Sequence, residues 1–300
     1  MQAPPPDLAA LLQHARSLPI RERKELVAKA AVEKHKREER LLLEDNLAEF
    51  VKQSWSAIDS SEYRETWALD ALCEHLTAVT RGDIKRLLIN FPPRAGKSSV
   101  TSVAWPAWTW AQRNETFVAG PNVRFLCGSY NHTVALKLST ACRRLLGSPF
   151  YQHYWGDRFE MMGDQNAKHQ YDNTRGGSRI ATSVGGSLIG IGGDILCVDD
   201  PHNTEDVESE ADRETVLRWW RELRSTRLND PQQSAIVVVM QRLHVEDVSG
   251  IIEKDTDDWT HLMLPMRFEP GRHCFTVLKW DDDGEPLKTW EAPRDPNGHD

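Results

Sequence analysis

The sequence predicts an α/β domain, with a mostly parallel central sheet flanked by helices and an N-terminal helical segment ahead of it. Three observations predict it. Short apolar runs alternate with helical patterns from about residue 62 to residue 264. One run, Leu87-Leu88-Ile89-Asn90, ends in a Pro/Gly loop that closes on Gly96-Lys97-Ser98, and Ser99 to Ala111 can continue as a helix. Another, Ile195-Leu196-Cys197-Val198, ends in the acidic pair Asp199-Asp200 before Pro201. Both polar stretches fall at strand C-termini, where open α/β sheets bind their ligands.

Bulk properties narrow the class. The chain has 300 residues, 39% hydrophobic and 27% charged, enough for a sizeable core in one large or two small domains. No apolar run approaches the roughly 20 residues that span a bilayer, so no membrane partner is expected. Met1-Gln2-Ala3-Pro4-Pro5-Pro6 has no basic region followed by an apolar one, so no signal peptide is expected either. Five scattered cysteines without a C-x-x-C pair read as small core residues of a reducing compartment rather than a zinc site. A net charge of −8 argues against a protein that coats nucleic acid, but leaves room for a DNA motor with a local basic surface.

Taken in order, residues 1–57 form the N-terminal helical segment. After a disordered start (1–6), Asp7 caps a helix carrying Leu8, Leu11, Leu12 and Ala15, which Pro19 breaks. A second, interrupted helix runs from about Arg21 to Trp55; its basic excess between Arg16 and Arg40 reads as a solvated face or a partner contact. Residues 58–268 form the main domain. A helix over 62–80 carries Trp67, Leu69, Leu72, Leu76 and Val79; Trp67 is the candidate wall for a base, against simple core packing. Arg124–Tyr130 is a strand, and Asn131–Leu146 a helix stopped by Gly147-Ser148-Pro149. Residues 150–176 read as irregular, Arg179–Ser183 as a short strand, and the glycines from Gly185 to Gly193 as a loop or hairpin around Leu188 and Ile189. An amphipathic helix over Ser209–Leu228 contains Trp219-Trp220. The continuous apolar run Ala235–Met240 is a strand buried on both faces; a helix from Glu246 to about Lys254 and a fifth strand, Thr260–Leu264, follow. Residues 269–300 are a hairpin and linker, with Asp281-Asp282-Asp283-Gly284 as its turn rather than a metal site.

Strand, loop with lysine and serine, then helix is the arrangement of a P-loop. Backbone N–H groups in such a loop face a polyphosphate. Pro93, Arg94, Ala95, Gly96, Lys97, Ser98 and Ser99 are therefore the candidate ATP-binding residues together with Trp67, with Lys97 on the β- and γ-phosphates. The pattern is not the standard G-x-x-x-x-G-K-[ST], because Phe91 stands where the first glycine belongs. The strand ending in Asp199-Asp200 then reads as a Walker B element, with Ser98 and Asp199 as the Mg²⁺-holding pair and Asp200 placed to orient the attacking water. Taken alone, two acids at a strand end also make a good turn.

With these blocks in place the chain resembles the large terminase subunit of tailed bacteriophages, in its N-terminal packaging ATPase domain. The blocks are Leu88 to Ser98, Gly128-Ser129-Tyr130, Gly185-Gly186-Ser187 with Gly190, Val198 to His202, Ser225 to Pro231, and Met240-Gln241-Arg242-Leu243-His244 followed by Asp247 and Gly250. They span roughly residues 50–268, and the missing first glycine is usual in that family. The resemblance implies an ATP- and Mg²⁺-dependent motor that pushes double-stranded DNA into a procapsid. It implies a homo-oligomeric ring docked on the portal protein in the host cell cytoplasm, with a small terminase subunit choosing the DNA. Asp200 takes the place of the family's glutamate as catalytic base, with Glu205 and Glu208 as alternatives, and Gln241 that of its coupling residue. Arg94 is a candidate for stabilising transition-state charge; Arg143, Arg158, Arg175 and Arg179 are candidates for an arginine offered to a neighbouring subunit. The family's RNase H-like nuclease is not expected in the 32 residues after Phe268. Another P-loop DNA translocase or helicase, or a degenerate nucleotide-binding switch, are the alternatives.

Overall fold

The computed structural model describes residues 18–113, 116–186, 190–255, 259–267 and 273–293. The chain divides into two units at Asp45/Asn46. The first holds helix α1 (Ile20–Asp45), a polar helix laced by i,i+4 pairs such as Arg21–Glu25 and Arg40–Glu44. The second holds the sheet and every other element.

The boundary expected at residue 57 moves back to Asn46. Asn46 caps helix α2 (Leu47–Ile58), its side chain accepting from Glu49 N at 3.0 Å. Leu47, Phe50, Val51, Ser54 and Trp55 recur at helical spacing and are all buried, so α2 belongs to the α/β unit by its packing. The helix at Asp7 and the residues around Leu188 and Ile189 lie outside the described residues.

The unit is built on an eight-stranded sheet in the order β3-β4-β5-β2-β6-β7-β1-β8. The strands are β1 (Arg86–Asn90), β2 (Arg124–Ser129), β3 (Met161–Asn166), β4 (Gln170–Asn173), β5 (Ser178–Ser183), β6 (Ile195–Asp199), β7 (Ala235–Met240) and β8 (Thr260–Met263). Those from β5 to β8 in this order pair in parallel, as expected; β3 and β4 add an antiparallel edge within the stretch read as irregular. Their sequences are polar and half-exposed, so they carry little of the apolar periodicity that betrays a strand.

Two adjacent strands, β1 and β7, send their chains in opposite directions. After β1 the chain crosses to β2, and after β7 it crosses to β8. Such a switch point opens a crevice at the strands' C-terminal ends. Helix α3 (Trp67–Thr80) precedes β1, and one helix over 97–111, α4, follows the Gly-Lys-Ser loop. Alternate residues of the strands face α4 and helix α5 (His132–Leu146); the others face helices α7 (Glu210–Thr226) and α8 (Val248–Ile252). A short helix α6 (Pro149–Trp155) and the antiparallel hairpin β9 (Phe275–Trp280) and β10 (Pro286–Glu291) complete the unit. No helix among the described residues is long and apolar enough to cross a membrane.

Candidate functional site

The site grows from three strand ends. Phe91, in place of a glycine, donates its N–H to Met240 O at 3.1 Å and so extends the β1–β7 ladder by one bond. The loop proper therefore begins at Pro92. Arg94 and Gly96 both adopt positive φ, 59° and 83°, which turns the chain sharply into α4. Glycine suits this position at little cost. Arg94 is exposed, whereas Lys97 is buried.

Lys97 opens α4 and reaches across to Asp200, with Nζ 2.7 Å from Oδ2. Asp200 follows β6 with φ at 43°, a left-handed backbone rare for non-glycine residues. Its own backbone is held on both sides, N donating to Val239 O at 2.9 Å and O accepting from Tyr130 N at 3.1 Å. Its second carboxylate oxygen, Oδ1, accepts from Gln241 N at 3.0 Å. The loop after β1, the acid after β6 and the residue after β7 thus meet in one hydrogen-bonded set, because β7 lies between β1 and β6.

Asp199 points the other way, into the face covered by α4. Ser102 Oγ donates to its Oδ2 at 3.0 Å, while buried Oδ1 has no hydrogen-bond partner among the described residues. Burial first, and the adjacent Asp200 second, push this carboxyl above its ordinary range; Ser98, Lys97 and Ser102 pull it back. A buried carboxylate beside a second acid, with one oxygen unsatisfied and a serine hydroxyl nearby, is a donor set that fits a hard divalent cation such as Mg²⁺. Ser98 and Asp199 would hold it.

Beyond β7 the chain is fixed by a buried carboxylate. Asp247 accepts from Leu243 N at 2.9 Å, His244 N at 3.1 Å and Gly250 N at 2.9 Å, and caps α8. Arg242 lies 3.5 Å from the same Asp247 and 2.5 Å from Glu253. Position 250 must be glycine, since a Cβ there would collide with Val245 O.

Some sequence candidates lie apart from this set. Trp67 stacks on Trp290 of the terminal hairpin, ring centroids 6.4 Å apart. The side chains nearest to Gly96 are those of Leu69 and Trp55, and Trp55 packs edge-on to Tyr63. Trp55 was hidden by its place in the polar N-terminal segment. Arg179, a candidate for reaching a neighbouring subunit, is 1% exposed on β5 and cannot reach outward. Arg143 donates to Asn166 O, Arg158 to Gln112 O and Arg175 to Arg158 O. No local sequence signal marks Ser102, although it stands one helical turn beyond Ser98 and on the same side.

No protein-family model matches this chain, and no curated protein matches it. Among solved structures, the chain is similar to the large terminase of bacteriophage HK97, with a TM-score of 0.48 and 11% identity over 76% of this chain and 46% of that one. The chain thus spans less than half the length of that structure, and the resemblance is distant.

Proposed function

We propose that the chain is an ATP-hydrolysing domain of a phage DNA-packaging motor, the large terminase subunit, using ATP and Mg²⁺ to translocate double-stranded DNA into a procapsid. One observation carries the nucleotide reading: Lys97, Ser98, Asp199, Asp200 and Gln241 converge at the switch point, with Lys97 Nζ 2.7 Å from Asp200. The terminase reading rests on the order and spacing of the sequence blocks. The homo-oligomeric ring, the portal protein, the small terminase subunit and the host-cell location belong to this proposal.

Each residue has a role in it. Lys97 binds the terminal phosphates, and backbone N–H groups of Ala95 to Ser99 line the loop that cradles them. Ser98 and Asp199 would hold Mg²⁺, which would supply neutralising charge at the phosphates. Asp200 accepts a proton from the attacking water, and the Gln241 N–H fixes the carboxylate's other oxygen. Exposed Arg94 is placed to meet charge from the solvent side of the loop.

The test is steady-state ATP hydrolysis by the purified chain, with and without double-stranded DNA. Slow hydrolysis that rises with DNA is expected, and Lys97→Ala should abolish it and weaken ATP binding. Parent-like hydrolysis in Lys97→Ala would reject the site. ATP binding without turnover in either condition would instead make the chain a nucleotide-dependent switch.

A further inference from the structure

The middle of α4, Val100–Ala104, is π-helical, and Trp105 N bonds Val100 O rather than Thr101 O. Single π turns inside α-helices often sit at functional sites. Here the widened turn leaves Thr101 O to be met from outside the helix, and Cys197 Sγ on β6 lies 3.8 Å from it. One residue on, an α-helix would close Ser102 O with the N–H of residue 106, but that residue is Pro106, which has none. Ser102 O instead accepts from Arg179 Nη2 at 2.9 Å. Ser102 is thus held at both ends, its carbonyl by Arg179 and its hydroxyl by Asp199 Oδ2 at 3.0 Å.

Burying a guanidinium is costly unless it is well bonded. Arg179 is 1% exposed, and its Nε and Nη1 have no hydrogen-bond partner among the described residues. Core packing alone is served better by an apolar side chain of the same volume. The polar contact Arg179 does make is to the residue that holds the site's buried carboxylate.

We propose that Ser102 and Arg179 are positioning residues for Asp199: Arg179 fixes the π turn through the Ser102 carbonyl, and the Ser102 hydroxyl sets the Asp199 carboxylate so that its unpartnered oxygen is presented to a divalent cation. This rests on the nucleotide reading above. Groups that orient a metal-binding carboxylate typically matter tenfold to a hundredfold for metal affinity.

The test is equilibrium binding of ATP in excess EDTA and across a Mg²⁺ titration, with no turnover measured. The parent should bind more tightly with Mg²⁺. Ser102→Ala and Arg179→Met should keep the EDTA affinity and need about tenfold more Mg²⁺ for half-maximal enhancement. Adding Pro106→Ala to Arg179→Met returns an amide N–H to this turn and should recover part of the loss, which a packing role for Arg179 would not produce. Unchanged Mg²⁺ dependence in either single variant overturns the proposal. So does an equal loss of affinity with and without Mg²⁺, which would mark a general structural role. A parent that binds no ATP in either buffer removes the nucleotide site itself, and this assignment with it.

Discussion

The two faces of the central sheet differ in how they hold their helices. Toward α7 and α8, Leu88, Leu126, Leu196, Val198, Ile236 and Val238 meet Val216, Trp219, Trp220 and Leu223 in one continuous apolar cluster. Toward α4, apolar contacts such as Trp105 on Phe125 are joined by polar ones: the strands, β5 included, offer Cys127, Arg179, Cys197 and Asp199, and the helix answers with Thr101 and Ser102. Apolar contact is non-directional and sums over area, so it sets stability. Hydrogen bonds are directional and weak in net terms, so they set position. The face that carries the Gly-Lys-Ser loop is the one where directional contacts are added to the apolar ones.

Substitutions should separate the two. The largest effect belongs to the chemistry at the strand ends. Asp200→Asn should lower single-turnover ATP hydrolysis by about 10²–10⁴-fold without lowering ATP affinity. Hydrolysis at the parent rate would move the base elsewhere, with Glu205→Gln and Glu208→Gln as the next variants. On the apolar face, Trp220→Ala should cost about 3–5 kcal/mol in denaturant unfolding, since Trp220 is fully buried against α8's side of the sheet. If a folded fraction of this variant lost Mg²⁺-dependent nucleotide binding, the division between the faces would fail.

A smaller effect should appear as acid sensitivity beside the loop-bearing face. His75 on α3 is buried, its Nδ1 donating to Ala71 O at 2.7 Å and its Nε2 accepting from Thr276 Oγ1 at 2.6 Å. Burial depresses its pKa to about 4. The neutral form is favoured in the fold, so its contribution is full above the unfolded value near 6.5 and is lost as pH falls from there towards 4. The loss should reach about 3 kcal/mol. His75→Leu should flatten that part of the stability–pH curve; an unchanged curve would show that another group titrates.

Legibility in the sequence followed the physics of each element. β1, β6 and β7 are continuous apolar runs with polar stops, and their order along the chain announced both the parallel sheet and its polar edge. β3 and β4 were illegible because β4 forms an edge on β5 and β3 an edge on β4, with polar, half-exposed residues of their own. Helix α2 was misplaced because its polar neighbours on α1 diluted an otherwise regular apolar face. Lys97, Ser98, Asp199 and Asp200 could be named from loop chemistry alone. That Lys97 bonds Asp200, or that Ser102 and Arg179 stand behind Asp199, depends on strand order, which no local pattern encodes.

The Lys97–Asp200 pair has one more consequence. A phosphate that binds Lys97 must displace a carboxylate belonging to the same chain, and a tethered rival acts at an effective concentration that dilution cannot lower. ATP affinity then reports a difference between two anions, not the attraction of one. For the proposed ATPase, removing the Asp200 charge should therefore tighten nucleotide binding even as it slows hydrolysis, and an entering phosphate would set free the carboxylate proposed to accept the water's proton.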